Sequence, residues 1–521
     1  MPLAAGDGYI GSKACAGCHR AIYDNYIRTP MGRSLSPAGN HLALAPRKSV
    51  VRHDRFPRAY EVWVEDGKLF QSEAGADFRS VHEVAYALGT GENGFSFLVQ
   101  RGDFLFQAPL SYYSRSGAWG LSPGFEFADP GFNRPIAAMC IACHSGRPQV
   151  VAQSPGRFLD PPFREFSIGC ENCHGPGEAH LRLKGAKAAI VNPAKIPAAR
   201  AEEVCMNCHQ GGDTRILQPG KTAFDFRPGR VLDETVAIFR IPRTRETAKD
   251  TDLLEHHESM RLSRCYRESG AKLNCIACHH LHAAKSDYRA ACLGCHKTAF
   301  AATHPGRDSD CIACHMPQRD VGFIAHSALA NHRIVRTPDQ GLPEAAFDQA
   351  TPDLPGLVHF NRAPGRPLPL LTRMQAYGEL SDRQPAYAVQ YRRLLEQAAA
   401  GLPDDPIVLA ALARRALREG AVEDALRYLG RAAARGSEAY TTFEDLGEAL
   451  ARAGRLEDSA AALRRGIELA PFTPVLHKAL ALRYIDMKRY PDARKTLEHY
   501  IDLFPEDDFV RKLLARAPGG G

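Results

Sequence analysis

The chain has 521 residues, 44% hydrophobic and 24% charged, with a formal net charge of +7. That length predicts two or three domains rather than one, and the composition is that of a globular protein, not a disordered or fibrous one. So small a positive excess gives no case for nucleic acid, and without a run of about 18 apolar residues no membrane-spanning helix is expected.

The first residues with a chemical signature are Cys15, Cys18 and His19, in the pentapeptide CAGCH. The same Cys-x-x-Cys-His pattern returns at Cys140, Cys143 and His144, at Cys170, Cys173 and His174, and at Cys205, Cys208 and His209. Three further copies are crowded together, at Cys275, Cys278 and His279, at Cys292, Cys295 and His296, and at Cys311, Cys314 and His315. Seven copies use 14 of the 15 cysteines, whereas a shuffled chain of this composition would hold on the order of 0.02. Disulfide chemistry does not require a His after every second Cys. Zinc binds Cys-x-x-Cys pairs, but it leaves that His unexplained in every copy. The pattern is the attachment site of a c-type haem, with both thiols bonded to one porphyrin and the His coordinating its iron. Seven c-type haems are expected.

Between the first and second motifs the texture changes. Residues 59–72 alternate apolar and polar side chains around Asp66-Gly67, a dipeptide suited to a tight hairpin. Residues 95–113 do the same around Arg101-Gly102-Asp103. This predicts a small β-rich insert over about 50–115. Beyond Cys140 the strand signals fade into Pro, Gly and short helical runs, as expected of a chain wrapped around porphyrins. Residues 1–335 are read as the seven-haem domain, with little regular secondary structure outside the insert.

Residues 336–379 are rich in Pro and Gly and read as a linker. Residues 380–515 are different, rich in Ala, Leu and Arg with a period of 34. Leu412, Leu446 and Leu480 recur at that spacing, as do Leu429, Leu463 and Leu497, and Ala425, Ser459 and Ala493. Gly420 and Gly454 share a turn position that Lys488 takes in the third copy. This is the tetratricopeptide period, with three repeats and half of an earlier one at 387–397. The expected fold is mainly α: a multihaem domain carrying a β insert, then an α-α solenoid.

Each iron has a second axial position. His359, His477 and His499 lie in the linker and repeats and are read as surface or packing residues. The other histidines outside the motifs are candidates, and among them His53, before the first hairpin, and His256 or His257 stand out by position. Met31 admits two readings, a thioether ligand or a side chain packed near a porphyrin. Cys265 is the one cysteine outside the motifs; it is read as a buried thiol beside a haem, or as a reactive or ligating one.

The stretches GCENCHGPGEAH, SRCYRESGAKLNCIACHHLH and CIACHMPQRDVGFIAHSALANHRI resemble multihaem cytochromes of the cytochrome c554 type. The chain as a whole resembles bacterial multihaem cytochromes with C-terminal tetratricopeptide repeats. The resemblance implies distal ligation by His180 in GPGEAH, by His282 in CHHLH, and by His326 and His332 in HSALANH. Where such proteins have a Thr-x-His after the first motif, this chain has Thr29-Pro30-Met31. Met31, His53, His180, His256 or His257, His282, His326 and His332 are then seven distal candidates for seven irons, with His82 and His304 in reserve. The resemblance gives Cys265, in its Ser-x-Cys-Tyr block, a structural role.

The expected function is electron relay through the haems, with the repeats docking a redox partner protein. The competing expectation is an oxidoreductase acting on a small nitrogen or sulfur compound at an iron with an open position. No Cys-x-x-Cys-Lys variant occurs, which removes the active site seen in pentahaem nitrite reductases. Covalent haem attachment takes place across the inner membrane, so a periplasmic or otherwise exported protein is expected. Residues 1–6 show no signal peptide, so the leader is expected to lie outside this sequence.

Overall fold

The computed structural model describes residues 8–151, 154, 156–246, 255–270, 272–304, 310–320, 328–337, 339–347 and 349–516. Near its start the chain folds a ten-stranded antiparallel sheet. Its strands are β1 (Leu35–Pro37), β2 (Ser49–Arg52), β3 (Ala59–Glu65), β4 (Lys68–Ala74), β5 (Arg79–Leu88), β6 (Gly94–Arg101), β7 (Phe104–Gln107), β8 (Leu110–Tyr113), β9 (Ala118–Leu121) and β10 (Arg134–Pro135). The main path runs β10-β7-β6-β5-β4-β3-β2, with β1 on β5 and β8 bridging β6 and β9. Glu65 opposes Lys68 across the two-residue turn Asp66-Gly67, where both residues take positive φ as such hairpins require. Alternation buries Tyr60, Val62, Leu69, Phe97, Val99 and Phe106 in one core.

The sheet reaches well beyond the expected 50–115, because β1, β9 and β10 are too short to leave an alternating signature. The β content is accordingly larger than a mainly α reading allows. Three smaller antiparallel sheets lie further along the chain.

From residue 136 to 337 most helices are short, Ala198–His209 and Tyr288–Thr303 being the long ones. Every Cys-x-x-Cys-His lies on or at the end of a helical segment, from Ser12–Cys15 to Cys311–His315. Helical spacing sets the two thiols three residues apart on one face, with the His beside the second. Among the described residues of 255–335, only Met260, Leu262 and Val335 are buried apolar side chains. Protein atoms supply almost no core there.

The remainder is a helical solenoid. Its helices are α1 (Leu370–Glu379), α2 (Pro385–Gly401), α3 (Pro406–Glu419), α4 (Val422–Ala434), α5 (Tyr440–Arg452), α6 (Leu456–Leu469), α7 (Pro474–Asp486), α8 (Tyr490–Leu503) and α9 (Asp508–Arg516). α3, α5, α7 and α9 begin at intervals of 34 residues, and so do α4, α6 and α8. The spacing and pairing are those of tetratricopeptide repeats. The small-residue column Ala425, Ser459 and Ala493 is buried, which lets paired helices approach closely. Gly420, Gly454 and Lys488 all take left-handed φ, of 75°, 76° and 58°.

Two sequence expectations change here. The earlier repeat is a complete helix pair, α1 with α2, not a half. The segment 336–379 is not a free linker either. Leu354, Leu357, Leu371, Met374 and Tyr377 are buried in one core with Phe239 of the haem-motif half and Tyr387, Leu395 and Val408 of the repeats. Pro and Gly there shape a packed crossing.

The far end of the solenoid is anchored too. Phe472 sets its ring 5.3 Å from Phe104 and 4.9 Å from Phe106, and Arg101 stacks over it at 4.4 Å. Arg101 donates to the Leu503 carbonyl at 2.9 Å, and Asn133 donates to Glu506 at 2.7 Å. The repeats brace the other half at both ends.

Candidate haem-binding histidine pairs

Five of the motif histidines have a second imidazole ring nearby. His19 faces His180, with ring centroids 6.4 Å apart and planes within 16°. His174 faces His282 at 5.9 Å and 15°. His279 faces His332 at 6.1 Å and 16°. His315 lies 6.1 Å from His304, with the planes crossed at 69°. His209 has His256 at 5.3 Å, tilted by 58°.

This spacing is informative. Two imidazoles in direct stacking contact would lie closer, whereas two bound to opposite sides of one metal, each at about 2 Å, have centroids about 6 Å apart. The rings are also held by their other nitrogen. Nδ1 of His174 donates to the Val191 carbonyl at 2.8 Å, and Nδ1 of His180 to Ala186 at 2.9 Å. Nδ1 of His315 donates to Val335 at 2.7 Å, and Nδ1 of His332 to Ala330 at 3.1 Å. A carbonyl on Nδ1 fixes the tautomer and leaves the Nε2 lone pair for a metal. Burial, then the neighbouring His332 and His209, pull the pKa of His256 down to about 3, so that ring is neutral at pH 7, as a ligand must be. Among the described residues no group of three or more His, Cys, Asp or Glu is placed to hold a bare ion. The donor set comes in opposed pairs, which fits haem.

The thiols link the motifs to one another. Cys15 lies beside Cys170, Cys143 beside Cys208, Cys205 beside Cys275, and Cys292 beside Cys311. Cys173 lies within electrostatic reach of Cys208, and Cys278 of Cys295. All seven motifs are therefore connected. The spatial order is first, third, fourth, fifth, sixth, seventh, with the second joined to the fourth.

His282, three residues after His279, faces His174; so short a step keeps the chain on one side of its own motif. Other candidates sit differently from expectation. His304, held in reserve, faces His315. His53 gives Nε2 to the Phe125 carbonyl at 2.7 Å, and its Nδ1 accepts from the Arg55 amide at 2.9 Å. Both nitrogens are used, so its geometry is that of a structural residue. His257 points Nε2 at Glu202, 3.0 Å away, which leaves His256 as the member of that pair beside His209, with His332 also 4.3 Å from its ring. His82 packs on Phe132 and meets Ser80. His326 lies outside the described residues. Met31 begins a short turn ending near Ser34, whose hydroxyl donates to the His144 carbonyl at 2.9 Å, which brings that turn beside the second motif. His477 is buried on the Pro471 carbonyl and His359 on Asp233, both as packing residues.

No family model matches this chain, and no curated protein matches it. Among solved structures, "MamA MSR-1 C2" aligns at 21% identity over 26% of this chain and 76% of that one, with a TM-score of 0.23. MamA 41-end from Desulfovibrio magneticus RS-1 aligns at 17% identity over 27% and 76%, also with a TM-score of 0.23. The APC/C hetero-tetramer Cut9–Hcn1 aligns at 20% identity over 29% and 30%, with a TM-score of 0.26. Likeness at that level assigns this chain neither a family nor a function.

Proposed function

We propose that this chain is an exported multihaem c-type cytochrome that relays electrons through seven covalently bound haems. The observation that carries the reading is the set of opposed imidazoles. Motif histidines 19, 174, 279 and 315 each meet a second ring at 5.9–6.4 Å, the span of one six-coordinate metal. His180, His282, His332 and His304 are the distal ligands of these four, and His256 is that of His209. The near absence of buried apolar side chains over 255–335 supports porphyrins as the core of that region. Haem, when bound, supplies a one-electron iron couple whose potential its axial ligands set. The thiol-to-thiol links keep neighbouring sites close enough for exchange, and the repeats offer a helical face to a redox partner protein.

A second reading keeps one iron open. Among the described residues no other imidazole stacks on His144, so the second site depends on Met31 or stays free for a small nitrogen or sulfur compound. Low-temperature EPR of the oxidised protein, with and without nitrite or hydroxylamine, tests the choice. Low-spin ferric signals unchanged by either compound support relay. A high-spin signal that shifts on addition supports the oxidoreductase.

A further inference from the structure

Five motif histidines meet a second imidazole, and the Met31 turn lies beside a sixth, His144. His296 is the seventh, and among the described residues no other imidazole ring lies against it. What does lie against it is sulfur: Cys265 Sγ is 4.0 Å from His296 Nε2. Cys265 belongs to the short helix Arg264–Glu268 and His296 to the separate helix Tyr288–Thr303. Their approach is therefore tertiary. The Cys265 helix is fixed at its start by Ser263, which donates to the His332 carbonyl at 3.1 Å and accepts from the Ile334 amide at 2.8 Å. Around Cys265 are Cys278 and Cys295, attachment thiols of the fifth and sixth motifs.

We propose that Cys265 is the distal ligand of the haem attached at Cys292 and Cys295, opposite His296. The inference rests on the haem reading above and adds a ligand class that reading does not contain. A metal bonded to imidazole at about 2.0 Å and to thiolate at about 2.3 Å spans roughly 4.3 Å from nitrogen to sulfur. The observed 4.0 Å matches that span. It also matches the facing imidazole pairs, whose centroids near 6 Å put their inner nitrogens about 4 Å apart. A second ligand-type atom from another helix thus stands where each other pair has its distal nitrogen. As the iron–sulfur bond forms, the Cys265 proton leaves to solvent. The anionic thiolate favours the ferric state, as it does in cysteinate-ligated haem proteins.

The test uses the full-length protein matured with haem. Pyridine haemochrome counts haems per chain, and EPR with near-infrared magnetic circular dichroism identifies axial ligands. The expected wild-type spectrum contains one haem in seven with the narrow rhombic signal and charge-transfer band of imidazole/thiolate ligation. Cys265→Ser keeps seven haems, loses that signal and gains one high-spin haem, and Cys265→His returns that haem to low spin as a bis-imidazole centre. A wild-type protein with seven haems and no thiolate signal overturns the proposal, as does a Cys265→Ser spectrum identical to wild type. A chain that binds no haem overturns the underlying reading instead, and the haem count tells the two failures apart. Should Cys265→Ser not fold, the wild-type spectrum alone decides.

Discussion

The stretch 255–335 and the repeats 404–516 solve opposite problems. Each repeat buries its own apolar columns, Leu417 with Leu429, Leu463 with Leu476, Leu497 with Phe504, against neighbouring helices. The stretch from 255 to 335 buries three apolar side chains among its described residues and carries thiols and imidazoles instead. One region carries its core in its sequence. The other, on the haem reading, takes its core from porphyrins.

The sharpest way to break this contrast is to withhold haem. Expression without haem maturation should leave residues 255–335 without fixed tertiary structure while the repeats keep their helices. Far-ultraviolet circular dichroism with limited proteolysis reads both, and an equally protected 255–335 stretch would refute the comparison. Truncation at residue 380 comes next in size. It strips Tyr387, Leu395 and Val408 from the core around Phe239, and Phe472 from Phe104 and Phe106. The truncated protein should aggregate rather than behave as a free cytochrome domain. Phe472→Ala alone should cost about 2–3 kcal/mol, less than full core burial of such a ring, measured by denaturant unfolding of the holoprotein.

Single ligands give smaller, more local effects. His282→Ala should turn one low-spin haem high-spin, and that haem should be the one at His174, not His279. His53→Ala should leave every haem signal unchanged and cost about 1–3 kcal/mol for the orphaned Phe125 and Arg55 backbone groups.

The joint between the halves should also respond to pH. Burial first, then Asp129 and Glu506, push the Glu73 carboxyl up to about 9; Arg58 lies 3.3 Å from it but gives its closer contact, 2.9 Å, to Asp129. A carboxyl held protonated in the folded state favours folding fully below its unfolded pKa. That contribution is lost as pH rises from about 4.5 towards 9. Stability should therefore fall across this window, and Glu73→Gln should flatten the fall. A wild-type profile already flat would show the carboxyl to be solvated. The mildest effect is expected inside the solenoid. Lys488→Gly relieves a left-handed non-glycine residue and should stabilise by about 0.5–1 kcal/mol, while Gly454→Lys should do the reverse.

What could be read from the chain was local. Two thiols three residues apart with an adjacent His, or a Leu column every 34 residues, are properties of one helical turn or one helix pair, visible wherever the residues stand. The β insert was legible at its two hairpins, where alternation and turn residues coincide, and not at β1, β9 or β10, where two to four residues carry too little pattern. His53 and His257 were singled out by sequence position, but a position along the chain does not say what a ring nitrogen meets.

The opposing member of each pair was decided only by the tertiary structure. His180 comes to His19, His282 to His174 and Cys265 to His296 from separate elements, because a chain that has just supplied one axial side of a planar group cannot reach around it within a few residues. The same holds for the segment 336–379, whose Pro and Gly content reads as a linker until Leu354, Leu357 and Leu371 are seen facing Phe239. Attachment and periodicity are short-range chemistry, written in adjacent residues. Opposition across a metal and burial between domains are long-range, and depend on where the fold brings distant residues together.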